Sequence, residues 1–324
     1  MATYKEIRGT HIVSVTSDPP SPVNGQMWYN STDKVVKGFT SSPAGTWSTA
    51  ANMNTARHSG IASAGANTEA ALGFGGGPPP APGAVAITES WNGSSWTEVG
   101  DLNNARALAG GAGNYTSAIA AGGDQFSGTA ESWNGSSWTN ITSSPNTGHT
   151  QQGAGADNED ALFFGGSPYN SNNQTDYWNG SSWTEGGNLN TARQVGAGSG
   201  KTYTAALAIG GTSSPGVLAL NESYNGSTWT EVADLNLARA YAGADGTQTS
   251  TLFFGGNTGP PNKSETESWN GSSWTETGDL NTARSYLGRA GATNAGALAY
   301  SGAPSNATEE FVTPTTSTVT FTVS

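Results

Sequence analysis

Apolar and polar positions along this chain alternate in short runs, without the three-to-four-residue spacing of an amphipathic helix. Small apolar runs end on a glycine pair at 70–76, 118–123, 161–166, 206–211 and 251–256, and a weaker sixth copy at 297–302 ends on Ser301-Gly302. Each of the first five is followed by an aromatic, an Asn-Gly pair and a second aromatic, as in Trp91 to Trp96. Asn-Gly tolerates the positive φ values of a tight hairpin turn, so every copy predicts two strands joined at positions such as Asn92-Gly93 and Asn134-Gly135. The second aromatics are Trp47, Trp96, Trp138, Trp183, Trp229 and Trp274, at gaps of 49, 42, 45, 46 and 45 residues. That period is too long for most helical solenoids and suits four short strands with their turns.

A second pattern runs in step with the tryptophans. Seven residues after the tryptophan stands Asn54, Asn103, Asn190, Asn236 or Asn281, and three further on stands Arg57, Arg106, Arg193, Arg239 or Arg284. The third copy supplies Asn146 and His149 one residue late. Ahead of the first hairpin aromatic lies an acid: Glu89, Glu131, Asp176, Glu222, Glu267 and Glu309. In a four-stranded meander the first and third strands run the same way, so a basic residue opening strand one and an acid opening strand three meet at one end. The spacing therefore predicts innermost strands that begin near the arginines and a structural Arg–carboxylate pair in each copy. The alternative use of the same residues is an anion-binding arginine ring on that face.

Glycine doublet, acid and aromatic, tryptophan, then Leu/Met-Asn-x-x-Arg resembles the kelch repeat, over roughly residues 46 to 312. The resemblance implies an all-β fold, a six-bladed kelch-like β-propeller with four-stranded antiparallel blades. It departs from the usual pattern in the short aromatic-to-tryptophan hairpin, in His149 for Arg, in Ser301-Gly302 for the doublet and in a sixth copy without its own tryptophan. The missing outer strand predicts closure by both termini, with the Trp47 strand completing the blade that holds Glu309 to Phe311, which removes two free sheet edges. A copper-radical oxidase, an activity known among kelch-like propellers, needs a Tyr–Cys crosslink, and the chain has no cysteine.

Residues 1–45 read as a separate N-terminal attachment segment, 46–312 as the propeller and 313–324 as a C-terminal β-strand tail. The attachment segment is broken at Ser17 to Pro22 and contains a convincing hairpin, 25–30 with 35–39. Its stretch Pro-x-Asn-Gly-Gln-Met-Trp-Tyr-Asn-Ser-Thr, residues 22–32, is similar to a short module of bacteriophage tail and fibre proteins. That resemblance implies a virion protein joined to other virion proteins through its N-terminal segment.

Composition narrows the chemistry. The formal net charge of −12 and the absence of a basic stripe argue against nucleic acid as a partner. From residue 41 onward there are eight Lys or Arg, and five of them are the repeat arginines. The N-terminus lacks an apolar stretch of signal-peptide length and no 18-residue apolar run occurs, so neither membrane insertion nor a secretory leader is expected. His11, His58 and His149 are scattered, Asp157 to Asp160 reads as a solvated turn, and no catalytic, cofactor or metal set stands out. The expected protein is not an enzyme. It is a phage virion structural protein of the tail or fibre that presents a propeller for host attachment or protein docking; the alternative is an extracellular adhesin or carbohydrate-binding propeller. The loops between strands two and three differ most between copies, and they carry the candidate recognition residues Pro79, Gln125, Tyr169, Asn170, Pro215 and Pro260, facing a host receptor or glycan.

Overall fold

A computed structural model describes residues 12–22, 25–41, 45–57, 61–77, 83–123, 129–144, 152–166, 172–213, 216–303, 305–313 and 316–321. The fold is all-β, with no helix among these residues. The chain divides into two compact units, Met1–Gly45 with Pro314–Ser324, and Thr46–Thr313.

The smaller unit is a four-stranded sheet in the order Val13–Val15, Met27–Asn30, Val35–Ser41, Thr316–Phe321. The first pair is parallel and the other two are antiparallel. The expected hairpin is present, with Asn30 opposite Val35, and the Asn30 side-chain oxygen accepts the N–H groups of Thr32 and Asp33, both at 3.0 Å, to fix its turn. Asp18 organises the sheet from the chain break: it accepts the Trp28 indole N–H at 2.9 Å, the Asn30 amide at 2.8 Å and the Lys37 ammonium at 2.9 Å. In the C-terminal tail, Thr316–Phe321 pairs along Val35–Ser41 and covers an edge that the hairpin leaves open.

Among the described residues the larger unit contains six four-stranded antiparallel sheets in a propeller-like arrangement. In the first, Ala62–Asn67, Ala70–Phe74, Thr88–Trp91 and Trp96–Glu98 follow one another as a meander. The first strands of the next five are Gly110–Asn114, Gln152–Asp157, Ala197–Thr202, Gly243–Thr247 and Gly288–Thr293. Where an arginine precedes it, the first strand begins four or five residues later: Ala62 after Arg57, Gly110 after Arg106, Ala197 after Arg193, Gly243 after Arg239 and Gly288 after Arg284, later than the sequence pattern suggests. Between arginine and strand the chain turns through Leu108, Val195, Tyr241 and Tyr286, all at positive φ of 48° to 61°, so the arginine itself stays in the preceding bend. In the sixth sheet the outermost strand is Thr46–Ala50, paired antiparallel to Thr308–Val312 with Trp47 opposite Phe311.

Second strands are buried along nearly their whole length, whereas the outermost strands bury little beyond their tryptophan, because each sheet is flanked on both faces only near its inner side. The core is correspondingly divided into clusters between consecutive sheets. Phe74 and Leu72 of the first sheet pack with Trp133 and Trp138 of the second, and Leu298 and Tyr300 of the sixth pack with Trp91 and Trp96 of the first. The outer tryptophans also bond across these seams. The indoles of Trp47, Trp96, Trp138 and Trp229 donate to the hydroxyls of Thr266, Thr308, Thr88 and Thr175 on the neighbouring sheet, at 2.9 to 3.0 Å. A buried indole satisfied in this way gains its full apolar burial without an orphaned donor.

Two outcomes follow from this packing. Trp47→Ala is expected to destabilise the large unit by about 3–5 kcal/mol, read as a lower urea midpoint at unchanged m-value; a loss below about 1 kcal/mol would show that the Thr46–Ala50 strand is not integral to the sheet. Its three donors, Lys37 foremost, hold the Asp18 carboxyl at about 2, below its ordinary 3.8. The ionised form therefore stabilises the small sheet above pH 3.8, and that contribution disappears as pH falls towards 2. An NMR titration of Asp18 should show the depressed midpoint, and Asp18→Asn should abolish this acid-dependent loosening.

Candidate functional site

The five repeat arginines are each drawn into their sheet and paired there. Arg57 donates to Glu89 at 3.0 Å, Arg106 to Glu131 at 2.6 Å, Arg193 to Glu222 at 2.6 Å, Arg239 to Glu267 at 2.8 Å and Arg284 to Glu309 at 2.8 Å. Both side chains of every pair are at most 2% exposed. The other terminal nitrogen bonds two carbonyls: for Arg57 these are Gly75, the first glycine of the doublet, at 2.9 Å and Ile87 at 2.7 Å. The carboxylate in turn accepts backbone N–H groups of the incoming segment, with Asn54 at 2.7 Å and Thr55 at 3.2 Å on Glu89. The Asn54 amide then reaches the Trp96 carbonyl at 3.0 Å. In the sixth sheet the same contact runs from Asn281 to the carbonyl of Trp47, so this segment holds the Thr46–Ala50 strand as it does each chain-contiguous outer strand.

Burial pushes all five guanidinium groups down from their ordinary value and the partner glutamates pull them back up; an arginine nonetheless keeps its charge. With no surface presented, these pairs have nothing to offer a ligand at that face. Asp176, the acid of the third sheet, accepts the Ser144 hydroxyl at 2.7 Å, and His149 lies outside the described residues.

Of the candidate recognition residues, Pro79, Gln125, Tyr169, Asn170 and Pro215 also lie outside the described residues. Pro260 is exposed, on a loop whose Asn262 bonds the Ala303 carbonyl at 2.9 Å and the Ser285 hydroxyl at 2.9 Å. This loop is thus a shaped surface tied to the following sheet. Asp157 and Asp160 flank a two-residue turn, and Asp160 accepts the Tyr203 N–H at 2.5 Å. Among the described residues, no group of three His, Cys, Asp or Glu is placed to hold a metal.

Sequence reasoning missed the cavity between the first strands. Its mouth, about 70 Å³, is lined by Ile61, Leu108, Val195, Tyr241, Tyr286 and Leu287 with the Arg289 side chain, and a further cavity of about 20 Å³ is lined by glycines together with Lys201, Asp245 and Arg289. The mouth is shaped by the positive-φ residues, which relay backbone bonds from sheet to sheet: Tyr241 N–H donates to the Val195 carbonyl and Tyr286 N–H to the Tyr241 carbonyl, each at 2.8 Å. A β-branched valine at φ 48° is an uncommon, strained conformation, and it is held here by those bonds.

No protein-family model matches the chain, and no curated protein matches it in sequence.

Arg239→Ala would leave Glu267 buried without its cation, and breaking one partner of a buried pair costs about 3–5 kcal/mol. The expected result is a stability loss of that order in a denaturant titration, with any binding activity falling only in proportion to the unfolded fraction. Native stability together with lost affinity for an anion would reassign the arginine row to ligand binding.

Proposed function

We propose that this protein is a non-enzymatic bacteriophage virion component, of the tail or fibre, in which a six-bladed kelch-like propeller serves host attachment or protein docking. In this reading Thr46–Ala50 closes the ring by completing the sixth blade, and the small unit joins the protein to other virion proteins. The observation that carries the reading is the division of labour within the repeat. The arginines, acids, asparagines and tryptophans are occupied by one another inside the scaffold, so the chemistry that varies between copies is left to the loops joining second and third strands.

The 22–32 module supports the particle assignment, and its Trp28 and Asn30 are the residues that Asp18 gathers to build the small sheet. The loop at 257–263, with Pro260 and Pro261 exposed over an anchored base, supports a recognition face for a host receptor or glycan on that side. Loops on a fixed framework can diverge without disturbing it, which is how specificity is usually placed on rigid scaffolds.

Mass spectrometry of purified particles tests this directly. The full chain should be incorporated, and a chain lacking residues 1–40 and 314–324 should fold, by circular dichroism, yet be absent from particles. Absence of the full chain from particles, or equal incorporation of the truncated chain, overturns the reading.

A further inference from the structure

In every sheet one first-strand position lies opposite the residue two places before the glycine doublet or its equivalent. It is occupied by Ser63, Gly111, Gly153, Gly198, Ala244 and Arg289 in turn. Small residues fit because the strands crowd there: a Cβ on Gly153 would stand 2.3 Å from the Gly111 carbonyl oxygen, and one on Gly198 2.5 Å from that of Gly153. Arg289 is the exception, and it reaches across the cavity to donate to the Gly153 carbonyl at 3.1 Å. Two other departures accompany it. Asp245 replaces a position otherwise held by Ala64, Ala112, Ala154, Ser199 and Ala290, and Lys201 follows Gly200 where Ala66, Ala156 and Ala292 follow their glycines.

The charges do not balance. The Lys201 ammonium bonds Asp245 at 2.6 Å and the Gly65 carbonyl at 3.0 Å, and the Gly246 N–H also donates to the same Asp245 oxygen at 2.7 Å. Asp245 is the one carboxylate for two cations, since it also attracts the Arg289 guanidinium, and the group of three keeps one positive charge in excess. Tyr300, beside it, is neutral: its buried hydroxyl donates to the Leu72 carbonyl at 3.1 Å, and burial pushes its ionisation far up. Of the five N–H groups a guanidinium carries, one meets a protein acceptor among the described residues. A surplus cation inside a protein of net charge −12, at the floor of a cavity of about 70 Å³, is a setting that favours a counter-anion.

We infer that the central cavity binds a small oxyanion group, a carboxylate or a phosphate, on the free edge of the Arg289 guanidinium, with Tyr241, Tyr286 and the aliphatic collar enclosing whatever carries it. Arginine presents a planar fork that matches two oxygens of such a group, which a lysine at the same place would not. The site stands whether or not the protein belongs to a particle.

Isothermal titration calorimetry of the full chain with acetate and with inorganic phosphate, at constant ionic strength in chloride, tests the site. Arg289→Ala gives the sixth sheet the residue type of its counterparts, so it should fold. At least one probe should bind the native protein, Arg289→Ala should weaken it about tenfold or more, the scale of a lost charged hydrogen-bond pair, and Arg289→Lys should recover only part. Lys263→Ala, a change outside the cavity, should leave binding unaltered. Tighter acetate binding identifies a carboxylate ligand and tighter phosphate binding a phosphorylated one. Binding of neither probe, or binding that persists in Arg289→Ala, overturns the inference.

Discussion

The large unit depends on one buried ion pair that recurs in five of its sheets. A guanidinium and a carboxylate taken out of water each cost several kcal/mol, and their mutual attraction offsets this only when the remaining donors and lone pairs are also used. Here they nearly all are. Arg284 joins Glu309, the Ser301 carbonyl at 3.0 Å and the Ala307 carbonyl at 2.6 Å, while Glu309 accepts the Asn281 N–H at 2.7 Å. One pair therefore ties together the segment entering a sheet, the end of its second strand and the start of its third. The Nε atoms of Arg57, Arg239 and Arg284 meet no acceptor among the described residues, which is the residual cost of the arrangement.

Because the pair fixes both ends of the connection between second and third strands, the connection itself is free to change. Gly75 and Ile87 are held by Arg57, and Gly255 and Glu265 by Arg239, whatever stands between them. The first of these intervals is rich in proline and the second carries Asn257 to Lys263, yet both return to the same register: Phe74 faces Thr88, and Phe254 faces Thr266. The scaffold thus leaves this set of loops free to vary.

Much of this was legible in the sequence because the signals are local or periodic. Strand pairs flanking Asn-Gly, the doublet closing each second strand, and the matched spacing of arginine and acid all lie within a single copy. What was not legible depends on meetings between copies or on details of backbone turning. The start of each first strand was placed too early because nothing in Arg-Gln-Val or Arg-Ala-Tyr announces a left-handed turn at Val195 or Tyr241. The pairing of Thr316–Phe321 with Val35–Ser41 joins segments almost a whole chain apart, and such weakly alternating strands carry no register signal of their own. The cavity was hidden for the same reason, since Arg289 and Gly153 are 136 residues apart.

Repetition also explains why the departures are informative. A charge placed at one first-strand position is multiplied by the symmetry of the copies, so a strict repeat could hold there only a ring of like charges, which would repel, or none. The uncharged, mostly small residues at the equivalent places carry none, and the glycines among them allow the strands to approach until a Cβ would collide with a neighbouring carbonyl. Introducing Lys201, Asp245 and Arg289 on three consecutive sheets breaks the symmetry without a repulsive ring. Had the purpose been only to fill space, uncharged side chains such as leucine would do so without the desolvation cost. Had it been only to cross-link strands, Lys201 with Asp245 would be complete by itself, since that carboxylate already has a cation and a backbone donor. Arg289 adds one more positive charge than this internal pairing requires, and it lines the cavity.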